Sequence, residues 1–257
     1  MKMPENSFRR GLEAGRPQIG LWSILSSHVT VEILAGAGFD WLVLDTEHSP
    51  NELPMVYSQL QAAAAGGPAH PVVRVPWNDM VTLKRYLDIG VQSFLIPYVE
   101  TAEEAAAAVS YTRYPPNGVR GYSAAPRASG FGRIKDYPAL VERELAVLVQ
   151  VETRKGLDNI EAISAVEGVT GVFIGPGDLA AALGHVGNPR DPAVQQAIEG
   201  AIARIRACGK PAGILTPDEA LARRYLELGC AFVAVGSDLG ILARTAEQLA
   251  ARFKADR

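Results

Sequence analysis

Cysteine is nearly absent. Cys208 and Cys230 are the two thiols in 257 residues, and each stands alone at the end of an expected helix. That spacing offers neither a disulfide framework nor a zinc site, so both read as small buried side chains in a reducing compartment. A surplus of one charge is also missing. The formal net charge is −3, with acids and bases interspersed. No basic stripe, tail or charge block occurs, so nucleic acid and membrane surfaces are not expected partners, whereas a small anionic substrate is compatible. No apolar run approaches the roughly 18 residues of a membrane span. The polar stretch MKMPENSFRRGLEAG has no apolar signal core, and a cytoplasmic protein is expected. No linker divides the chain. No glycine-rich turn follows the first apolar run, where the sequence reads SILSSHVT; a doubly wound nucleotide-binding sheet would usually carry one there.

What is present is an alternation. Apolar runs at Ile19–Trp22, Trp41–Leu44, Val72–Val75, Phe94–Pro97, Ala146–Gln150, Gly171–Ile174, Ala212–Leu215 and Phe232–Val235 are separated by stretches of helical periodicity. Strands alternating with helices imply βαβ units and a parallel sheet. Eight such units over residues 1–257 predict a single-domain α/β fold, a (β/α)8 TIM barrel. Helix starts are expected at Ser49-Pro50-Asn51-Glu52, Thr101-Ala102-Glu103-Glu104, Asp191-Pro192, Thr216-Pro217-Asp218-Glu219 and Ser237-Asp238. The last helix, Ser237 to about Lys254, puts Leu239, Leu242, Ala246, Leu249, Ala250 and Phe253 on one face; it either closes this barrel or packs on a neighbouring chain. One connection, Arg113 to Tyr137, holds four glycines, three prolines and five Arg or Lys. Its length predicts a mobile surface loop, or a lid or intersubunit arm that brings Arg120 or Arg127 to an anionic ligand.

Barrels of this kind place their chemistry at the C-terminal ends of the strands. The polar residues expected there are Asp45, Glu47 and His48 after the second strand, Arg74 on the third, Gln150 and Glu152 on the fifth and Asp178 after the sixth. Gln150 and Glu152 are two apart and therefore share a face. Carboxylates from neighbouring strands, Glu152 and Asp178, make a minimal site for a hard divalent cation such as Mg²⁺ or Mn²⁺. A 2-oxo acid chelating that ion would need a positive partner, for which Arg74 and the helix-start amides near Gly177 are candidates. Asp45 beside His48 would make an oriented base near neutral pH. Glu47 has no evident task. His28 is a further candidate, and His70 and His185 read as surface residues.

The segments PQIGLW, AGFDWLVLDTEHSP, PVVRVPWND, LVQVETRKGLDNI, GVFIGPGDLAAALGHVGNP, KPAGIL and RYLELGCAFVAVGSDLGILARTAEQLAARF, in that order, resemble the metal-dependent (class II) pyruvate aldolases. The resemblance spans nearly the whole chain. It implies retro-aldol cleavage of a 4-hydroxy-2-oxo acid such as 4-hydroxy-2-oxoheptanedioate, from aromatic catabolism, to pyruvate and an aldehyde, here succinic semialdehyde. It implies Mg²⁺, Mn²⁺ or Co²⁺ as cofactor, and a homohexamer built as a trimer of dimers with the C-terminal helix exchanged between subunits. The family's metal acids fall on Glu152 and Asp178, its keto-oxygen arginine on Arg74 and its histidine–aspartate pair on His48 and Asp45. Gln150, Trp22 and Leu215 fall on substrate-lining positions. Asp88, Val119 and Arg120 fall on positions that reach a neighbouring subunit's site. Two departures stand out. The family commonly has alanine where this chain has Gly177, and glycine where it has Ile24. A missing methyl at Gly177 suggests room for donors bulkier than pyruvate, such as hydroxypyruvate.

Other chemistries set useful limits. A Schiff-base aldolase needs a lysine inside the barrel, and Lys84, Lys155 and Lys210 are all poorly placed for it. An oxaloacetate-type decarboxylase would share the metal and enolate chemistry. A non-catalytic 2-oxo acid binder would bind pyruvate without exchanging its methyl protons.

Overall fold

The computed structural model describes residues 1–254. Eight strands form a closed parallel barrel in chain order: β1 (Gln18–Ser23), β2 (Trp41–Asp45), β3 (His70–Arg74), β4 (Ser93–Ile96), β5 (Ala146–Val151), β6 (Gly171–Ile174), β7 (Ala212–Leu215) and β8 (Phe232–Ser237). The two-residue period of a strand sorts each run into an inward and an outward set. Leu42, Leu44, Val73, Phe94, Ile96, Val147, Val149, Val172 and Ile174 pack outward against the helices in one core cluster. Trp22, Trp41, Val43, Val72, Leu95, Leu148, Phe173, Phe232 and Ala234 fill the barrel in a second. Two glycines make that filling possible. A Cβ at Gly20 would meet the Trp41 ring at 2.3 Å, and one at Gly213 would meet Phe232 at 2.1 Å. The same parity carries Asp45, Arg74, Gln150 and Glu152 onto the inner face at the C-terminal rim, where Asp45 is paired in register with Arg74 across β2 and β3.

The N-terminal rim is closed by an element the sequence did not announce. The polar opening stretch holds a helix, Ser7–Glu13, capped by the Asn6 side chain. Its Phe8 and Leu12 are buried in the barrel cluster, with the Phe8 ring 5.4 Å from Trp41 and 5.7 Å from Phe232. A buried polar belt surrounds this plug. Asn6 donates to Ser93 Oγ at 2.9 Å and its amide to Glu144 at 2.8 Å, Gln18 donates to the Phe8 carbonyl, and His70 pairs with Ser93 at 2.9 Å. His70 is therefore not the surface residue expected: β3 begins at it and turns it inward.

Two helix starts move relative to the sequence reading. The helix after β2 runs Leu53–Gly66 with Glu52 at its N-cap, because the Ser49 hydroxyl donates back to the Asp45 carbonyl instead of capping. The helix after β7 runs Glu219–Glu227, capped by Asp218. The helices Ala102–Thr112, Pro192–Ala207 and Asp238–Lys254 begin where expected. Asp238 is buried and accepts from Ser23 Oγ, from the amides of Ile24 and Leu25, and from its neighbour Leu239. The long connection after Thr112 lies at the N-terminal rim, away from the mouth of its own barrel. Arg120 is buried there between Tyr114 and Tyr137 and pairs with Asp88 at 3.3 Å. Arg127 donates to the Ile89 carbonyl at 2.6 Å. Neither arginine serves as a lid over its own barrel's mouth. No described helix is long and apolar enough to cross a membrane.

Candidate active site

Asp45 ends β2 fully buried and accepts a dense set of hydrogen bonds. Arg74 donates to it from Nε at 2.8 Å and again from Nη2; Trp22 Nε1 donates at 3.2 Å and the Glu47 amide at 3.0 Å. Burial opposes its ionisation, but the adjacent Arg74 guanidinium outweighs that and holds the carboxyl below the usual carboxylate range. Burial likewise opposes the charge on Arg74, and Asp45 again reverses the effect. The guanidinium also lies over the Trp22 ring, 5.1 Å from its centroid. Arg74 is thus fixed in place, as register pairing dictates.

The expected side-chain pair of Asp45 and His48 does not form. Asp45 meets His48 only at its main-chain amide, 3.5 Å away. Its oxygens are occupied by Arg74, Trp22 and amides. The His48 ring is 60% exposed and faces Glu47 at 3.9 Å. Glu47, to which the sequence assigned no task, is buried under the rim. Arg74 Nη1 lies 3.0 Å from its Oε2 without hydrogen-bond geometry, which leaves that oxygen without a donor. Burial raises the Glu47 carboxyl to about 7, with Asp45 and Asp178 adding to the rise and Arg74 opposing it.

Across the mouth, Glu152 is buried beyond the end of β5. Gln150 Nε2 donates to its Oε2 at 2.6 Å, and the Tyr98 amide donates to Oε1 at 2.8 Å. Burial pushes Glu152 up to about 7, against these two donors and helped by the charges of Glu47 and Asp178. Gly175 lets this cradle close: a Cβ there would sit 2.4 Å from Glu152 Oε2. Asp178 projects from the first turn of the helix Pro176–Ala182 and accepts from the Tyr98 hydroxyl at 3.2 Å. Gly177 beside it faces open space. Burial, then Asp178 and Glu152, raise the Tyr98 phenol to about 12. Gln150 Oε1 is buried without a partner. Ile24 and Leu215 pack at the edge of the inner cluster that contains Trp22.

The donor set fits a hard divalent cation. Its carboxylates are oxygen ligands held from behind, they repel one another, and orphaned buried oxygens flank them. Among the described residues no group of three His, Cys, Asp or Glu forms a complete metal cage, and a two-carboxylate site leaves positions open for substrate oxygens. The sequence pointed to Glu152, Asp178, Arg74 and Gln150 but not to Tyr98 or to the burial of the Glu47 carboxylate beside Arg74. None of the three lysines considered enters the mouth: Lys210 donates to the Val169 carbonyl before β6, Lys155 pairs with Glu100, and Lys84 lies on the helix Met80–Asp88. A concavity of about 530 Å³ borders His70 and Val91 at the N-terminal rim and gathers no such chemistry.

Comparison with known proteins agrees with this geometry. The chain is 57% identical over 252 residues to the 4-hydroxy-2-oxo-heptane-1,7-dioate aldolase of Shigella sonnei, covering 98% of this chain and 96% of that one. It is 56% identical over 253 residues to the pyruvate aldolase of Rhizobium etli, covering 98% and 99%. The crystal structure of an HpcH/HpaI aldolase/citrate lyase family protein from Burkholderia cenocepacia superposes with a TM-score of 0.93 at 41% identity, covering 97% of this chain and 99% of that one. Residues 18–245 match the family described as HpcH/HpaI aldolase/citrate lyase, and the chain belongs to that family.

Proposed function

We propose that the protein is a class II aldolase that reversibly cleaves 4-hydroxy-2-oxo acids to pyruvate and an aldehyde. Its proposed substrate is 4-hydroxy-2-oxoheptanedioate, which yields succinic semialdehyde. The observation that carries this reading is the pair Glu152 and Asp178, braced from behind and facing the Asp45-fixed Arg74 across one mouth. Glu152 and Asp178 would hold Mg²⁺, Mn²⁺ or Co²⁺. When bound, the cation supplies electrophilic stabilisation of charge developing on the 2-oxo acid. Arg74 keeps Nη1 toward the mouth and binds the keto oxygen. Asp45 keeps the guanidinium in register. Trp22 and Leu215 wall the donor half, and Gln150 orients Glu152. His48, at the open rim beside Glu47, takes the proton from the 4-hydroxyl. As the C3–C4 bond breaks, its electron pair flows toward the 2-oxo oxygen, where Arg74 stabilises the pyruvate enolate, and a proton delivered to C3 then completes pyruvate and balances the one taken from the 4-hydroxyl. A preorganised charge aimed at developing charge is typically the largest catalytic contribution. Glu47 Oε1 is the carboxylate oxygen nearest the imidazole, at 3.9 Å, and Asp45 acts through Arg74 and the His48 main-chain amide.

The decisive assay follows retro-aldol cleavage across several 4-hydroxy-2-oxo acids before and after EDTA. Activity abolished by EDTA and restored by Mg²⁺, Mn²⁺ or Co²⁺, with succinic semialdehyde the preferred product, is the expected outcome. Activity indifferent to EDTA would sink the reading. We also infer a cytoplasmic homohexamer, a trimer of dimers that exchanges the helix Asp238–Lys254. That helix leaves Leu239, Ile241, Leu242, Leu249 and Phe253 exposed on a single chain. In such an assembly Asp88, Val119 and Arg120, at the far rim of their own barrel, serve a neighbour's site. Light scattering that returned a monomer would remove the assembly without touching the chemistry.

A further inference from the structure

Tyr98 stands at the exit of β4, after Pro97, with its backbone in the left-handed region at φ +53°. A bulky residue adopts that conformation only where its surroundings impose it, and such strain concentrates at working sites. Here the twist turns two parts of one residue toward two carboxylates. The main-chain N–H donates to Glu152 Oε1 at 2.8 Å, and the phenol hydroxyl donates to Asp178 Oδ1 at 3.2 Å. The ring leans on Trp77, 5.8 Å between centroids, which limits its swing. Glu152 has a second brace in Gln150. Asp178 has none: among the described residues the Tyr98 hydroxyl is the one hydrogen-bond donor to its side chain, and Gly177 beside it offers no steric wall.

We propose that Tyr98 is a positioning residue that holds Glu152 and Asp178 in a converging posture for a divalent cation, its amide acting on the first and its hydroxyl on the second. The proposal rests on the reading of those two carboxylates as the metal ligands. A carboxylate has about four lone-pair sites, so the phenol can hold one oxygen of Asp178 and still leave it free to bind metal. Phenylalanine would keep the ring and its packing on Trp77 but leave Asp178 free to rotate.

The test is titration of Mn²⁺ alone into the metal-stripped full chain, read by calorimetry, for the parent and for Tyr98→Phe, Glu152→Gln and Asp178→Asn. Loss of a group that orients a metal ligand typically weakens affinity about 10- to 100-fold. Tyr98→Phe is expected at the lower end, about tenfold, with the melting midpoint of the metal-free protein unchanged. Parent-like Mn²⁺ affinity in Tyr98→Phe, while Glu152→Gln and Asp178→Asn lose the ion, would overturn the role of Tyr98 alone. Weaker binding accompanied by a lowered melting midpoint would reduce Tyr98 to a structural part, and would also overturn it. Parent-like binding in all three variants would remove the metal-ligand reading itself.

Discussion

The two rims of the barrel are built from similar residues and arrive at opposite electrostatic states. At the N-terminal rim, Asn6, Gln18, His70, Ser93 and Glu144 are buried but joined by mutual hydrogen bonds around the Phe8 plug. At the C-terminal rim, Asp45 and Arg74 are equally well paired, yet Glu47 and Glu152 are pushed up to about 7 and Glu47 Oε2 and Gln150 Oε1 go unpaired. Buried polar groups without partners are costly and rare. The belt around Phe8 closes on itself, and the unpartnered atoms elsewhere on that rim, Tyr114 Oη and Arg120 Nε and Nη1, belong to a cation stacked between aromatic rings; at the mouth the unpartnered oxygens lie among carboxylates that repel one another, which marks that end as the place where a ligand finishes the set.

That contrast can be broken most forcefully at Arg74. Arg74→Ala strands Asp45 as an unpaired buried charge and removes the cation facing Glu152 and Asp178. Turnover in the retro-aldol assay should fall about 10²- to 10³-fold, the range seen when a preorganised charge donor is deleted. Near-parental rates would remove Arg74 from the chemistry.

The belt around Phe8 makes a prediction of its own through His70. Burial lowers its imidazole from the ordinary 6.5 to about 4. The unfolded chain therefore binds a proton that the folded chain refuses between those values. The neutral His70 contributes stability in full above pH 6.5 and loses it as pH falls toward 4, about 3 kcal/mol in all. Urea midpoints recorded from pH 7.5 to 4.5 should drop more steeply for the parent than for His70→Gln, with turnover at neutral pH unchanged by the substitution. Parallel curves would show that the N-terminal rim does not titrate as described.

The smallest effect is expected at Gly177. A Cβ there meets nothing within 4 Å. Gly177→Ala should therefore fit without strain, stabilise the chain by roughly 0.4–1 kcal/mol through the unfolded state, and lower the hydroxypyruvate-to-pyruvate rate ratio. An unchanged ratio would show that this missing methyl does not set donor range.

Much of this was legible because strand parity is unforgiving. Once eight runs alternate with helices, the inward set is fixed, and Asp45, Arg74, Gln150 and Glu152 fall on it without further information. What escaped was written in no period. Phe8 and Leu12 sit in a polar stretch whose buried face is one turn wide. His70 read as a surface residue, and only the register of β3 with Trp41 turns it inward. Glu47 and His48 were read as flanking a helix start; the back-bonded Ser49 instead makes an irregular turn that leaves the imidazole exposed, 3.9 Å from Glu47 and away from the Asp45 oxygens. Tyr98 depends on a left-handed backbone that neither composition nor spacing signals. The site's charges were readable; their wiring required three dimensions.

Asp238 ties these levels together. One carboxylate opens the terminal helix and, with the same two oxygens, fastens the loop that carries Ile24 past the donor wall. Whatever body that helix leans on is therefore mechanically continuous with the substrate chamber. Cutting the chain after β8 would remove Asp238 and loosen the Ser23–Leu25 segment it fastens.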